Sequence, residues 1–393
     1  MRKKKRFGSK IRLIFGAGGI LLLIILVSVF NQEKGVAHTN NVDAQISLHS
    51  KREAPETAVL VNPEFAGLAF PAKESESLIP EQLAAVGRVV ISWFESPGEK
   101  EEEHGSWIWT PTMQMSPEYI ESILSRSKKE GVNVIYLSID SYLDIFTMEK
   151  GLERERQKQL FTDKIRYFIK SANQKGIEVD AEAGWQNWAE AGNEYKGLAI
   201  VNFVKNFNDS EEEKFRGFQY DVEPYLLEEY KEDPAPVLKR FATLVDKTEK
   251  FIGESDLRFS VVVPDFFDEK DKMTPKFSYA GRRASIFKHL LNILERRENS
   301  SIIIMSYRNF AEGKDGSIEV TENEMKTAKK GRYSTQIIVA QEVGDVPPPY
   351  ITFHNTSKTH LEQEVAKIQS AFSPSANFGG LAIHYINAYL DLR

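Results

Sequence analysis

A (β/α)8 barrel, an α/β fold, is what this sequence predicts, and three observations predict it. Strand-like apolar runs alternate with amphipathic helical segments, eight such runs fall between residues 88 and 385, and most are near-continuously apolar, as parallel strands buried on both faces are. The runs are residues 88–94, 132–139, 177–183, 215–223, 257–264, 301–307, 335–342 and 379–385. Between them the helices announce themselves. Ser116-Pro117 is an N-cap followed by proline in the first turn, with Ile120, Ile123 and Leu124 on one face. Ile286, Leu290, Ile293 and Leu294 repeat the stripe, as do Leu361, Val365, Ile368 and Phe372. A doubly wound open sheet is the alternative, but it needs fewer parallel strands and would bring a glycine-rich phosphate loop. The cluster Gly16-Ala17-Gly18-Gly19 is no such loop, because it sits inside an apolar segment.

That segment, residues 13–30, is uncharged and eighteen residues long, and residues 1–12 before it hold seven Lys or Arg and no acid. Its length suits a bilayer span, and the basic flank is expected to stay cytoplasmic. An uncleaved signal anchor is preferred over a cleaved signal peptide, since the best small-residue site, Gly35-Val36-Ala37, follows Glu33 and Lys34 well beyond the apolar run. Residues 31–57 are polar without a sustained apolar period and read as a flexible linker, leaving 58–393 as the barrel domain on the extracytoplasmic side. If the N-terminal segment is cleaved, the domain is secreted. The absence of Cys fits an exported protein that relies on its core.

Without the basic start, 44 Lys and Arg face 57 Asp and Glu, so the domain is acidic and has no reason to bind nucleic acid. No cofactor is expected, and the expected assembly is a monomer. Barrel chemistry gathers at the C-terminal strand ends, which here carry Trp93, Asp140, Glu182 with Trp185, Asp221 with Glu223, Asp265, Tyr307, Gln341 with Glu342, and His384 with Tyr385. The five tryptophans, at 93, 107, 109, 185 and 188, are expected at or after the first and third strands. Flat aromatic faces take the C–H faces of sugars, while sugar hydroxyls need polar partners, so this rim suits a saccharide.

The richest stretch is residues 215–225, FRGFQYDVEPY. If the strand runs through it, alternation puts Gln219, Asp221 and Glu223 on one side. Carboxylates held together cannot all ionise freely, and a raised pKa on one is what a general acid needs at neutral pH.

From Arg216 to Glu223 the sequence resembles D-G-x-D-x-D-x-E, the strand-four motif of glycoside hydrolase family 18, the chitinase-like barrels. Gly217, Asp221 and Glu223 match, while Arg216 and Gln219 stand where that motif has its first two acids. The resemblance implies Glu223 as general acid and Asp221 as the residue that orients a substrate acetamido group. Met305-Ser306-Tyr307 resembles that family's Met-x-Tyr, which implies a phenol beside the reacting sugar. Residues 379–385 resemble its last strand, with His384-Tyr385 where a Trp is usual. Glu223-Pro224 also resembles the barrel glycosidases that place Asn-Glu-Pro on strand four, and Gln341-Glu342-Val343-Gly344 resembles their strand-seven Glu-x-Gly.

Two mechanisms therefore stand. In one, Glu223 protonates the leaving oxygen and the substrate's own N-acetyl oxygen attacks, positioned by Asp221 and Tyr307; in the other, Glu342 is the nucleophile, with its carboxyl about 5 Å from that of Glu223. The first is preferred because Asp221 has no evident role in the second. Trp93, Asp140, Glu182, Trp185, Gln219, Asp265, His384 and Tyr385 are expected to line the substrate. Scattered His residues without H-E-x-x-H, no G-x-S-x-G elbow and no Cys argue against metal, Ser and Cys catalysis. The competing class is a non-catalytic glycan-binding surface protein on the same fold.

Overall fold

The computed structural model describes residues 102–268 and 273–393. Eight parallel strands close a barrel in chain order: β1 Glu103–Ile108, β2 Val134–Ser138, β3 Glu178–Ala183, β4 Gly217–Tyr220, β5 Arg258–Pro264, β6 Ser301–Met305, β7 Gln336–Glu342 and β8 Phe378–His384. β8 pairs back onto β1, with His104 opposite Leu381 and Ser106 opposite Ile383. A short antiparallel hairpin, Phe277–Tyr279 with Arg282–Ala284, lies between β5 and β6.

The helices form where caps and apolar spacing place them. Pro117–Lys129 starts at Ser116, whose side chain accepts from the Tyr119 N–H, and buries Ile120, Ile123 and Leu124. Pro234–Ile252 starts at Asp233 in the same way and buries an apolar stripe from Val237 to Ile252. Lys358–Phe372 begins at Ser357, which accepts from the His360 N–H, and buries Leu361, Val365, Ile368 and Phe372. Inside the barrel Trp107, Tyr136, Val262, Ile303, Ile338, Ala340 and Ala382 fill one cluster. Gly105 is required there, because the Tyr136 ring lies where a side chain would stand.

Seven expected strand runs coincide with β2–β8 to within three residues at either end. The first does not. Residues 88–94 lie outside the described residues, and the place expected for them in the closed barrel is taken by Glu103–Ile108. That strand is less apolar than residues 88–94, which is why its sequence did not stand out, yet each polar group in it has a structural partner. Ser106 Oγ donates to the Ile383 carbonyl at 2.6 Å, the His104 N–H reaches Asn133 Oδ1 at 2.7 Å, and Glu103 joins a buried ion pair.

The ion pair closes the N-terminal end of the barrel. Arg216, just before β4, donates to both oxygens of Asp180 at 2.8 and 2.6 Å and lies 2.9 Å from Glu103 Oε2 and 3.3 Å from Glu178 Oε2. The Tyr136 hydroxyl donates to the other Glu103 oxygen. Gly217 belongs beside this network, since a Cβ there would press on Asp180 Oδ1 at 2.8 Å. Arg216, which stands at the first acid of the strand-four motif, is thus part of the barrel floor.

The predicted anchor at 13–30 and linker at 31–57 lie outside the described residues, as does Trp93. Among the described residues no helix is long and apolar enough to cross a membrane.

Candidate active site

At the opposite end, β4 stops at Tyr220, three residues before Glu223, so strand alternation does not carry Asp221 and Glu223 as expected. Pro224 opens a 3-10 turn, Pro224–Leu226, with Glu223 at its N-cap position at φ −101° and ψ 72°. Proline has no N–H for a ladder, and the turn swings the Glu223 carboxyl over the barrel mouth. The Tyr225 hydroxyl, two residues on, donates to Glu223 Oε1. Asp221 is fixed by its backbone: its N–H donates to the Ala183 carbonyl at 3.2 Å, and its carbonyl packs so tightly on Gly184 that no side chain fits there.

Three carboxyls crowd the ends of β2, β3 and β4. Asp140 Oδ1 accepts from the Gly184 N–H at 3.2 Å. Burial pushes the Asp140 carboxyl up to about 8, with the Asp221 and Asp144 charges adding to it and the Gly184 hydrogen bond working against it. Glu182, opposite Ser138 on β2 and Gln219 on β4, is 1% exposed. Burial drives its pKa well above the ordinary carboxylate range, and the charges of Asp140 and Asp221 reinforce the shift. Desolvation and like-charge repulsion thus favour the protonated form of both acids. The raised pKa expected of this neighbourhood falls on these two strand ends.

The next carboxylate is Glu342 at the end of β7, 3% exposed. Its Oε1 accepts from the Gly344 N–H at 2.6 Å and its Oε2 faces His384 Nδ1 at 2.7 Å. His384 Nε2 in turn accepts from Trp109 Nε1 at 2.9 Å. The imidazole is ringed by Trp107, Trp109, Tyr307 and Tyr385, with centroids 5.6, 5.6, 6.0 and 5.5 Å away. Burial disfavours a charge on His384, but the Glu342 charge and hydrogen bond, with Asp221 and Glu223 beyond, outweigh it and raise its pKa. Tyr307 stands among the carboxylates: burial first, then the charges of Glu342, Asp221 and Glu223, keep its phenol firmly protonated. The phenol therefore keeps its proton within the field of three carboxyls.

Asp265, at the end of β5, is held by Arg308 at 3.1 Å, and the same guanidinium reaches Asp315 at 2.9 Å. Burial raises Asp265 to about 6 against the pull of Arg308.

The expected site residues thus divide. Asp221, Glu223, Tyr307, Glu342 and His384 share one electrostatic neighbourhood, and Asp140 and Glu182 lie behind Asp221. Tyr385 packs over Gly344 beside Glu342. Trp185 is partly exposed, leading into a 3-10 turn at Gln186–Ala189. Gln219 is placed differently from the expected sugar contact: it has no exposed surface, and its Oε1 accepts from Trp107 Nε1 at 2.7 Å inside the barrel. The tryptophan rim is also thinner than expected. Trp107 belongs to the interior, and Trp188 is 2% exposed behind the wall, edge-on to Tyr220. Trp109, expected in the tryptophan rim, instead reaches His384; Tyr225 and Arg308 were not among the expected site residues, and each lies within two positions of one, which is the signal that could have found them.

Among the described residues, no group of His, Cys, Asp or Glu is arranged to hold a metal ion.

No protein-family model matches the chain, and no curated protein matches it either. Solved structures that resemble it include an endo-1,4-beta-mannanase from Rhizomucor miehei, 11% identical over 74% of this chain and 87% of that one, with a TM-score of 0.48. The exo-beta-1,4-mannosidase Op5Man5 from Opitutaceae bacterium strain TAV5 is 12% identical over 72% of this chain and 51% of that one, also with a TM-score of 0.48. A GH18 chitinase from Pseudoalteromonas aurantia is 13% identical over 72% and 93%, with a TM-score of 0.43. The chain's own closed parallel strand order makes it an α/β barrel of the TIM type.

Proposed function

We propose that the protein is a glycoside hydrolase with Glu223 as its general acid, acting on a cell-wall or extracellular polysaccharide that contains N-acetylated amino sugars. The observation that carries the reading is that Glu223, Asp221 and Glu342 share one electrostatic neighbourhood with the Tyr307 phenol at the C-terminal end of the barrel strands. Glu223 accepts from the Tyr225 hydroxyl at one oxygen, which fixes its carboxyl, and in this reading that carboxyl carries the proton that passes to the glycosidic oxygen. Proton transfer to that oxygen lets the bond to the anomeric carbon break, and the acetamido oxygen of the same sugar closes on the carbon as the leaving sugar departs. Asp221 takes the acetamido N–H and Tyr307 donates to the acetamido oxygen. Water then adds at the anomeric carbon as the bond to the acetamido oxygen breaks and the acetamide re-forms, and the water's proton returns to Glu223. Burial and mutual repulsion favour the protonated forms of Asp140 and Glu182 beside Asp221, which eases the crowding of charge around it.

A second reading is favoured by Glu342 itself. Two partners, the Gly344 N–H and His384 Nδ1, fix its carboxyl at both oxygens, as the positioning of a nucleophilic carboxylate requires. In that route Glu342 forms an ester with the anomeric carbon and Glu223 then acts as base for water.

In this proposal residues 13–30 hold the barrel at the membrane on its extracytoplasmic side; the run of eighteen uncharged residues behind a basic flank supports that placement. Release of reducing ends from acetylated polysaccharides, with Glu223→Gln beside the wild type, is the test. Loss of turnover in the variant is expected. A wild-type protein that binds glycans without cleaving any, with Glu223→Gln binding alike, contradicts the reading in favour of a surface binder.

A further inference from the structure

We propose that Trp109 is a positioning residue, which locks His384 in its neutral tautomer with the proton on Nδ1 and so keeps Glu342 an uncompensated carboxylate beneath the reacting sugar. An indole N–H can only donate, so the ring nitrogen it meets, His384 Nε2 at 2.9 Å, has to present a lone pair. A neutral imidazole then carries its single proton on Nδ1, where it faces Glu342 Oε2 at 2.7 Å. Glu342 is accordingly an acceptor at both oxygens, from His384 and from the Gly344 N–H at 2.6 Å.

The lock has something to resist. Glu342 from β7 and Asp221 and Glu223 from the β4 loop all draw a second proton onto His384, while Tyr307 from β6, Tyr385, Trp107 and Trp109 face it with rings and bring no charge. An imidazolium would put an N–H on Nε2 and set it against the Trp109 N–H, so charging His384 means giving up the indole bond. The ring therefore has two exclusive states: neutral and joined to Trp109, or charged, detached from it and paired with Glu342. Only the first leaves a full negative charge on Glu342 to face the positive charge that grows at an anomeric carbon. This last step, and the kinetic consequence drawn from it below, rest on the Glu342 route of the hydrolase reading; the tautomer does not.

The test is ring-nitrogen NMR of the full-length protein labelled at histidine, with His384→Asn used to assign the signal. The wild-type His384 is expected to show a bare Nε2 and a protonated Nδ1 in its neutral form. In Trp109→Phe the obstacle to an Nε2–H is gone, so the midpoint for charging His384 should move upward by about half to one pH unit, the worth of one neutral hydrogen bond. The acid limb of kcat/KM should follow it, with KM less changed. A neutral wild-type ring protonated on Nε2, or a midpoint that Trp109→Phe leaves in place or lowers, overturns the inference. Should Trp109→Phe fail to fold, the wild-type tautomer decides the matter alone. A protein inert on every glycan that still shows the Nδ1–H ring supports this inference and sinks only the hydrolase reading.

Discussion

The two ends of the barrel handle acids in opposite ways. At the N-terminal floor, Glu103, Asp180 and Glu178 surround Arg216, and the Tyr136 hydroxyl adds a further donor. At the C-terminal mouth, Asp140, Glu182, Asp221, Glu223 and Glu342 gather, and the nearby guanidinium, Arg308, is engaged by Asp265 and Asp315. The floor meets negative charge with a buried cation. The mouth favours the protonated forms of Asp140 and Glu182 and aims hydrogen-bond donors from Tyr225 at Glu223 and from Gly344 and His384 at Glu342. A floor of this kind serves the fold, whereas a crowd of carboxyls fixed by hydrogen-bond donors at strand ends suits a catalytic site.

The sharpest break in that contrast comes from Glu223→Gln, which removes the proton donor and should lower kcat/KM by about 100- to 10,000-fold with thermal stability nearly unchanged. Steady-state kinetics beside a melting curve checks both halves. Arg216→Met should do the reverse: buried Asp180 and Glu103 lose their cation, and unfolding free energy should fall by about 3–5 kcal/mol, while molecules that remain folded keep their turnover. Urea denaturation with activity per folded molecule measures this.

Asp140→Asn separates the two ends through pH. An Asp140 raised to about 8 binds a proton in the folded state across a range where the unfolded chain has released it, so the wild type loses stability as pH climbs from the ordinary aspartate range toward 8. The Asn variant lacks that loss. Its melting temperature relative to wild type should rise with pH through this window and level off above it; a difference that stays flat contradicts the protonated Asp140. The smallest effect belongs to Tyr225→Phe, which removes one hydroxyl from Glu223 and should lower kcat/KM by about 10-fold. A loss as large as that of Glu223→Gln would mean that Tyr225 does more than hold the acid.

The same contrast explains what the sequence made legible. β2–β8 are visible because apolar runs buried on both faces have no other ready explanation. β1 is hidden because Glu103, His104 and Ser106 look like surface residues until Arg216, Asn133 and Ile383 come to meet them from positions remote in the chain. Asp221, Glu223, Tyr307 and Glu342 are readable from position alone, since each sits at a strand end. Their settings are not. That Gln219 turns inward to Trp107, that Arg216 belongs to the floor, and that Trp109 reaches His384 all depend on contacts across the barrel, which no local pattern encodes.

The central claim is that the mouth breaks glycosidic bonds through Glu223. Its most direct test is reducing-end release by the full-length protein on acetylated and deacetylated forms of one polysaccharide, with Glu223→Gln and Glu342→Gln assayed in parallel. The account predicts turnover on the acetylated form that disappears in Glu223→Gln and survives in Glu342→Gln, and loss in both would transfer the nucleophile's part to Glu342. Turnover that persists in Glu223→Gln, or no turnover by the wild type on any glycan, would contradict it.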